Sequence, residues 1–130
     1  MVSRAYDIAA SILDRTTLDH SDRMAVWLGR NGADDARLAT AWLHDVLEVE
    51  YETDLSYFPA EVVNAVLILT RLEEEKEYHR YINDIKLAKG IARDVKIADL
   101  LDNLYGRPDP PQDSLAERYH TALRTLWRER

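Results

Sequence analysis

Apolar residues recur along this chain at intervals of three and four, with few alternating β-branched runs, and that period predicts helices joined by short polar breaks. Residues 3 to 14 read as a first helix with Tyr6, Ile8, Ala9, Ile12 and Leu13 on its apolar face. The stretch "TTLDHSDR" breaks the pattern. Asp19 or Ser21 is then the expected N-cap of a second helix through Met24, Val26, Trp27 and Leu28, ending near Gly32. His20 falls at the first turn of that helix or just before it. Asp34 is the expected cap of a third helix, which runs into "ATAWLHDVLEVE". Residues 50 to 58 show no sustained period and read as a loop bordering the functional site. Pro59 fits the first position of a fourth helix that buries Val62, Val63, Val66, Leu67 and Leu69. "RLEEEKE" reads as a charged connector. Tyr78, Tyr81, Ile82 and Ile85 mark a fifth helix, and Gly90 separates it from a sixth, "IARDVKIADLLDNL". Three prolines then stiffen a linker before a last helix from about Ser114 through Leu115, Tyr119, Leu123 and Leu126. The expectation is an all-α bundle of about six or seven helices forming one domain over residues 1–130.

Composition narrows what such a bundle does. At 130 residues, with 46% apolar and 32% charged positions, the chain has the balance of one globular domain. It contains no apolar run of membrane-spanning length, and "MVSRAYDIAASILDR" turns amphipathic at once, so a cytoplasmic protein with no membrane partner is expected. Cysteine is absent, which removes disulfides, thiolate zinc sites and thiol nucleophiles together. A formal charge of −7 argues against a nucleic-acid duplex as partner, since a phosphate backbone needs a basic surface. A small phosphorylated nucleotide is compatible with it if a cation and a few arginines supply local positive charge. Self-association into a homo-oligomer is left open.

Two acids stand where a core helix leaves little room for them. In the third helix His44 and Asp45 are flanked by Trp42, Leu43, Val46 and Leu47, so the Asp45 carboxylate would be costly to bury alone. Continued as a helix, the run puts Glu48 on the same face as both. In the sixth helix Asp99 lies among Ile97, Ala98, Leu100 and Leu101, with Lys96 and Asn103 a turn to either side, an ammonium and an amide that suit substrate binding where a metal also contacts a phosphorylated sugar. Together with His20 these give two imidazoles and two carboxylates, His20, His44, Asp45 and Asp99, from three helices. Such a mixed set suits Mn²⁺, Fe²⁺ or Zn²⁺ better than Mg²⁺ or Ca²⁺. An ion so held acidifies bound water and draws charge off a phosphoryl oxygen, and Glu48 would position that water or carry its proton.

A histidine, an adjacent His-Asp pair and a distant aspartate in this order resemble the HD-domain metal-dependent phosphohydrolases. "LATAWLHDVLE", "TDLSYFPAEVVNAVLILTR", "EYHRYI" and "VKIADLLDNL" are similar to the hydrolase domain of the RelA/SpoT-type alarmone enzymes, over roughly residues 20 to 105. That family removes the 3′-pyrophosphate of guanosine tetra- and pentaphosphate with Mn²⁺. The resemblance implies an HD-domain fold, metal ligation by His20, His44, Asp45 and Asp99, and a catalytic role for Glu48 as first acid of a Glu-Asp pair. It further implies that Asn103 contacts the nucleotide sugar, that Tyr78 and Tyr81 line the substrate site, and that Arg71 is the substrate-binding basic residue that closes the "LT(R/K)" segment.

The chain departs from that pattern in two places. Val49 stands where the family has its second acid, and the region before His20 is short and lacks the family's basic stretch, leaving Arg4, Arg15 and Arg23 as candidate phosphate contacts. A catalytically impaired domain that binds a nucleotide as sensor or sequestering module is therefore the alternative. Singly, each residue also has a plainer reading: His44 as a satisfied core histidine, His20 as a capping residue, Glu48 as a solvated acid. Lys96 would then pair with Asp99 or Asp102, and Asn103 would cap its helix. The tryptophans Trp27, Trp42 and Trp127 read as core.

Overall fold

The computed structural model describes residues 1–71 and 77–127. Among the described residues all regular structure is helical, and seven helices have nine residues or more. They are α1 (Val2–Ile12), α2 (Arg15–Arg30), α3 (Asp35–Leu43), α5 (Ala60–Leu69), α6 (Tyr78–Ala88), α7 (Gly90–Leu101) and α8 (Asp113–Trp127). A single turn, α4 (Val46–Val49), follows α3, and a π turn (Asp102–Gly106) continues α7. No helix among the described residues is long and apolar enough to cross a membrane. Residues 72–76, most of the stretch read as a charged connector, lie outside the described residues.

The helix starts follow from their caps. Asp34 begins α3 as expected, its side chain accepting from Arg37 N at 3.1 Å. The second helix begins earlier than the sequence suggests. Asp14 accepts from Thr17 N at 2.8 Å, so α2 starts at Arg15 and runs unbroken through "TTLDHSDR". Neither Asp19 nor Ser21 is a cap. His20 and Ser21 are instead buried in the second turn, where packing overrides the weak helix preference of threonine, serine and aspartate. At the other end, Lys89 and Gly90 both have left-handed φ, +57° and +55°, which turns the chain from α6 directly into α7.

α3 is a wall between two apolar cores. Ala41 belongs to one, with Met24, Leu28, Ile85, Val95, Leu100 and Leu126, while Ala36, Ala39 and Leu43 belong to the other, with Ala5, Ala9, Val62 and Val66. Its small residues let α1, α2, α5 and α7 pack against it. α7 is equally central, touching α2, α3, α5, α6 and α8. α3, which leads into His44 and Asp45, and α7, which carries Asp99, are thus the most enclosed of the described helices, and α2 lies against both. Loop 50–58 does not border the site. Leu55 and Phe58 anchor it on the α1 side of the second core, with Arg4 over the Tyr57 ring at 5.0 Å. Leu67 and Trp127 are exposed, not core, because α5 and α8 turn those positions outward.

Candidate metal centre

The chain does not remain α-helical through His44 and Asp45. α3 ends at Leu43, and the pair occupies a two-residue turn before α4, with Asp45 relaxed to φ −101°, ψ −6°. This break frees the Asp45 carboxylate to turn toward His44, whose Nε2 lies 3.1 Å from Asp45 Oδ2. His44 is held from behind, because Nδ1 donates to the Ala41 carbonyl at 2.7 Å. A carbonyl only accepts, so the Nδ1 proton is fixed there and Nε2 is left to face the interior.

That Nε2 atom is buried and, among the described residues, makes no well-aligned hydrogen bond, although the Asp45 carboxylate at 3.1 Å and Asp99 Oδ1 at 3.8 Å lie beside it. An unmatched nitrogen among acceptors is the arrangement a cation resolves. Ligand atoms of His20, His44 and Asp45 all lie within 4.8 Å of one another, so this group could hold a metal ion. Asp99 is outside that mutually close trio and reaches it through two members: its Oδ1 is 2.8 Å from His20 Nε2 and 3.8 Å from His44 Nε2. The His20 and His44 rings meet edge to face with centroids 5.5 Å apart.

Lys96 and Asn103 settle which oxygen of Asp99 faces inward. Lys96 Nζ donates to Oδ2 at 2.6 Å, while Asn103 Nδ2 donates to Oδ1 at 3.2 Å, the oxygen shared with His20. Both therefore act on Asp99, and Lys96 pairs with it and not with Asp102. Asn103 is itself held by Arg107, whose Nε donates to its Oδ1 at 2.8 Å. Glu48 Oε2 accepts from the Arg71 backbone N–H at 3.1 Å, which folds the carboxylate in toward the site although the residue is exposed. Tyr81 donates to the Leu69 carbonyl at 2.6 Å, and the Arg71 guanidinium lies over the Tyr78 and Tyr81 rings at 5.4 and 5.9 Å.

The electrostatics follow from burial and mutual pairing. Burial opposes a charge on His44, but the adjacent Asp45 carboxylate outweighs it and pushes the pKa up to about 9. His20, likewise opposed by burial, is raised by its bonds to Asp102 and Asp99. Asp99 is favoured neutral by burial yet held well below the usual carboxylate range, chiefly by the Lys96 charge. Although Glu48 as a residue is exposed, the partial desolvation of its inturned carboxylate raises its pKa above that of an ordinary glutamate, making it a stronger proton acceptor.

All ten residues singled out from sequence, His20, His44, Asp45, Glu48, Arg71, Tyr78, Tyr81, Lys96, Asp99 and Asn103, line one cavity of about 600 Å³. Arg4, Arg15 and Arg23 do not. Arg15 pairs with Asp19 on the surface, and Arg23 bonds Asp102. The cavity also has walls that sequence reasoning missed: Arg107, Asp109 and Pro111 of the proline linker, and Leu115 and Tyr119 of α8. These follow the segments that carry the family resemblance, and their spacing alone signals only a linker and a packing helix. Asp102 was readable only as a partner for Lys96, yet its three-residue offset from Asp99 puts it on the face toward α2. No protein-family model matches this chain, and no curated protein matches it.

Proposed function

We propose that the protein is a cytoplasmic metal-dependent phosphohydrolase of the HD-domain type, acting on a small phosphorylated nucleotide, with guanosine 3′,5′-bis(diphosphate) losing its 3′-pyrophosphate as the first substrate to test. The observation that carries this reading is the buried Nε2 of His44, which makes no well-aligned hydrogen bond among the described residues and faces the carboxylates of Asp45 and Asp99 beside His20. The donor set of two imidazoles and two carboxylates favours Mn²⁺, with Fe²⁺ or Zn²⁺ as the other ions of matching preference. When bound, such an ion draws charge off a phosphoryl oxygen and makes water a competent nucleophile at neutral pH.

The chain's own residues would do the rest. Glu48, its carboxylate turned in by Arg71 N–H and its basicity raised by partial desolvation there, would accept the proton of the attacking water. Lys96 and Asn103 would keep Asp99 Oδ1 turned inward. Arg71 and Arg107 are the cations on the cavity wall that would meet phosphate charge, and the Tyr78, Tyr81 and Tyr119 rings would exclude water from the nucleoside side.

A second reading, a nucleotide-binding module without turnover, is favoured by Val49, which stands where the resembled family has its second acid, is 58% exposed and does not line the cavity. One experiment separates the two. The purified chain is incubated with Mn²⁺ and a panel of guanosine tetra- and pentaphosphate, nucleoside triphosphates and monophosphates, and products are separated by ion-exchange chromatography. Turnover of a panel member that requires Mn²⁺ and is absent in His44→Ala is expected. Saturable binding without product selects the sensor reading, and neither binding nor turnover above the His44→Ala background contradicts both.

A further inference from the structure

His20 is held from both sides, and the outer side is not explained by the ligand set. Its Nε2 faces Asp99, while its Nδ1 lies 2.6 Å from Asp102 Oδ2. Asp102 is in turn gripped by Arg23 at two points, Nε to Oδ1 at 2.8 Å and Nη2 to Oδ2 at 3.0 Å. The carboxylate is thus saturated by an imidazole and a forked guanidinium, in a position 8% exposed.

The backbone is shaped around this carboxylate. α7 widens into a π turn at Asp102–Gly106, and Gly106 closes that turn against the Asp102 side chain. A β-carbon at position 106 would collide with Asp102 Oδ1 and come within 3.6 Å of Arg23 Nε. Position 106 therefore has room for the Asp102–Arg23 pair only as glycine. Widened turns of this kind recur at functional sites, where they re-aim a side chain.

We infer that Asp102, clamped by Arg23 and seated against Gly106, is the positioning residue for His20, fixing its proton on Nδ1 so that Nε2 is presented to a divalent cation. The inference rests on the metal reading of the site. A metal-ligating histidine is ordinarily oriented by a carboxylate on its other nitrogen, and removing that partner weakens metal binding by about 10–100-fold. Asp102 itself would touch neither ion nor substrate.

The test is calorimetric titration of the full chain with Mn²⁺ and Zn²⁺, comparing wild type with Asp102→Ala, Asp102→Asn and Gly106→Ala. Circular dichroism verifies the fold of each. Long-range ¹H–¹⁵N spectra of the Zn²⁺-loaded protein report which nitrogen of His20 carries the proton. Asp102→Ala is expected to raise the Kd about 10–100-fold and to lose the fixed Nδ1–H signature. Asp102→Asn, whose amide oxygen still accepts, should lose less. Gly106→Ala, which changes no charge, should weaken binding by displacing the carboxylate, and it keeps the test decisive if Asp102→Ala does not fold. Wild-type binding with Asp102→Ala and Gly106→Ala within twofold of it, and an unchanged His20 tautomer, would overturn this inference alone. Failure of the wild type to bind either ion would overturn it together with the metal reading.

Discussion

Glu48 is the residue whose proposed role is most separable from folding, because its backbone sits in a four-residue turn and, among the described residues, its side chain accepts from Arg71 N–H. Glu48→Gln keeps that acceptor and removes the basicity. Under the proposed mechanism kcat falls by about 10²–10⁴, with Mn²⁺ affinity unchanged, measured by single-turnover product formation beside a metal titration. A parallel loss of metal affinity would instead make Glu48 part of the cation's shell. At this scale the sequence was legible wherever a charged group interrupts an apolar run, since burial without a partner is costly and the exception needs a reason. His44, Asp45 and Asp99 show themselves in that way. Arg107 and Tyr119 do not, because an arginine after a helix and a tyrosine on an amphipathic one are ordinary in any chain.

Among elements, α2 carries the most consequence for its cap. Asp14 fixes its start, and the same helix delivers His20 and Arg23, which meet Asp99 and Asp102 of α7 and the π turn. Asp14→Ala should lower the melting temperature by about 3–5 °C, without altering metal stoichiometry, since two turns of helix beyond the cap remain packed. Differential scanning calorimetry with and without Mn²⁺ measures both, and loss of the metal effect would show that the first turn also positions His20. The polar string "TTLDHSDR" hid this helix because its inward positions, His20 and Ser21, are not apolar. Period-based reading assumes that what is buried is hydrophobic. The break at His44 and Asp45 was equally hidden, for "WLHDVLEV" has a continuous helical pattern and its apolar spacing carries no mark of the backbone turn between α3 and α4.

For the whole molecule, the buried charges make stability depend on pH in a defined sense. His44 has a folded pKa of about 9 against an ordinary 6.5, so its stabilisation is fully present below pH 6.5 and is lost as pH rises through 9. His20, also raised, acts in the same direction. Asp45, Asp99 and Asp102 are lowered, so their contribution is present above the ordinary carboxylate value of 3.8 and is lost as pH falls through their folded values. The metal-free protein should thus melt highest between about pH 4 and 6.5 and progressively lower toward pH 9. Added Mn²⁺ should do the reverse over that upper interval, because the cation competes with protons for both imidazoles. A metal-free melting temperature that is flat or rising from pH 6.5 to 9 would contradict the pairing described. Whether His20, His44, Asp45 and Asp99 form one cation site is decided by titrating the metal-free protein with Mn²⁺ in a calorimeter at pH 7.5. The account predicts one ion per chain with proton release, and no binding in Asp45→Ala or His44→Ala. Absence of binding in the wild type, or binding that survives both substitutions, would contradict it.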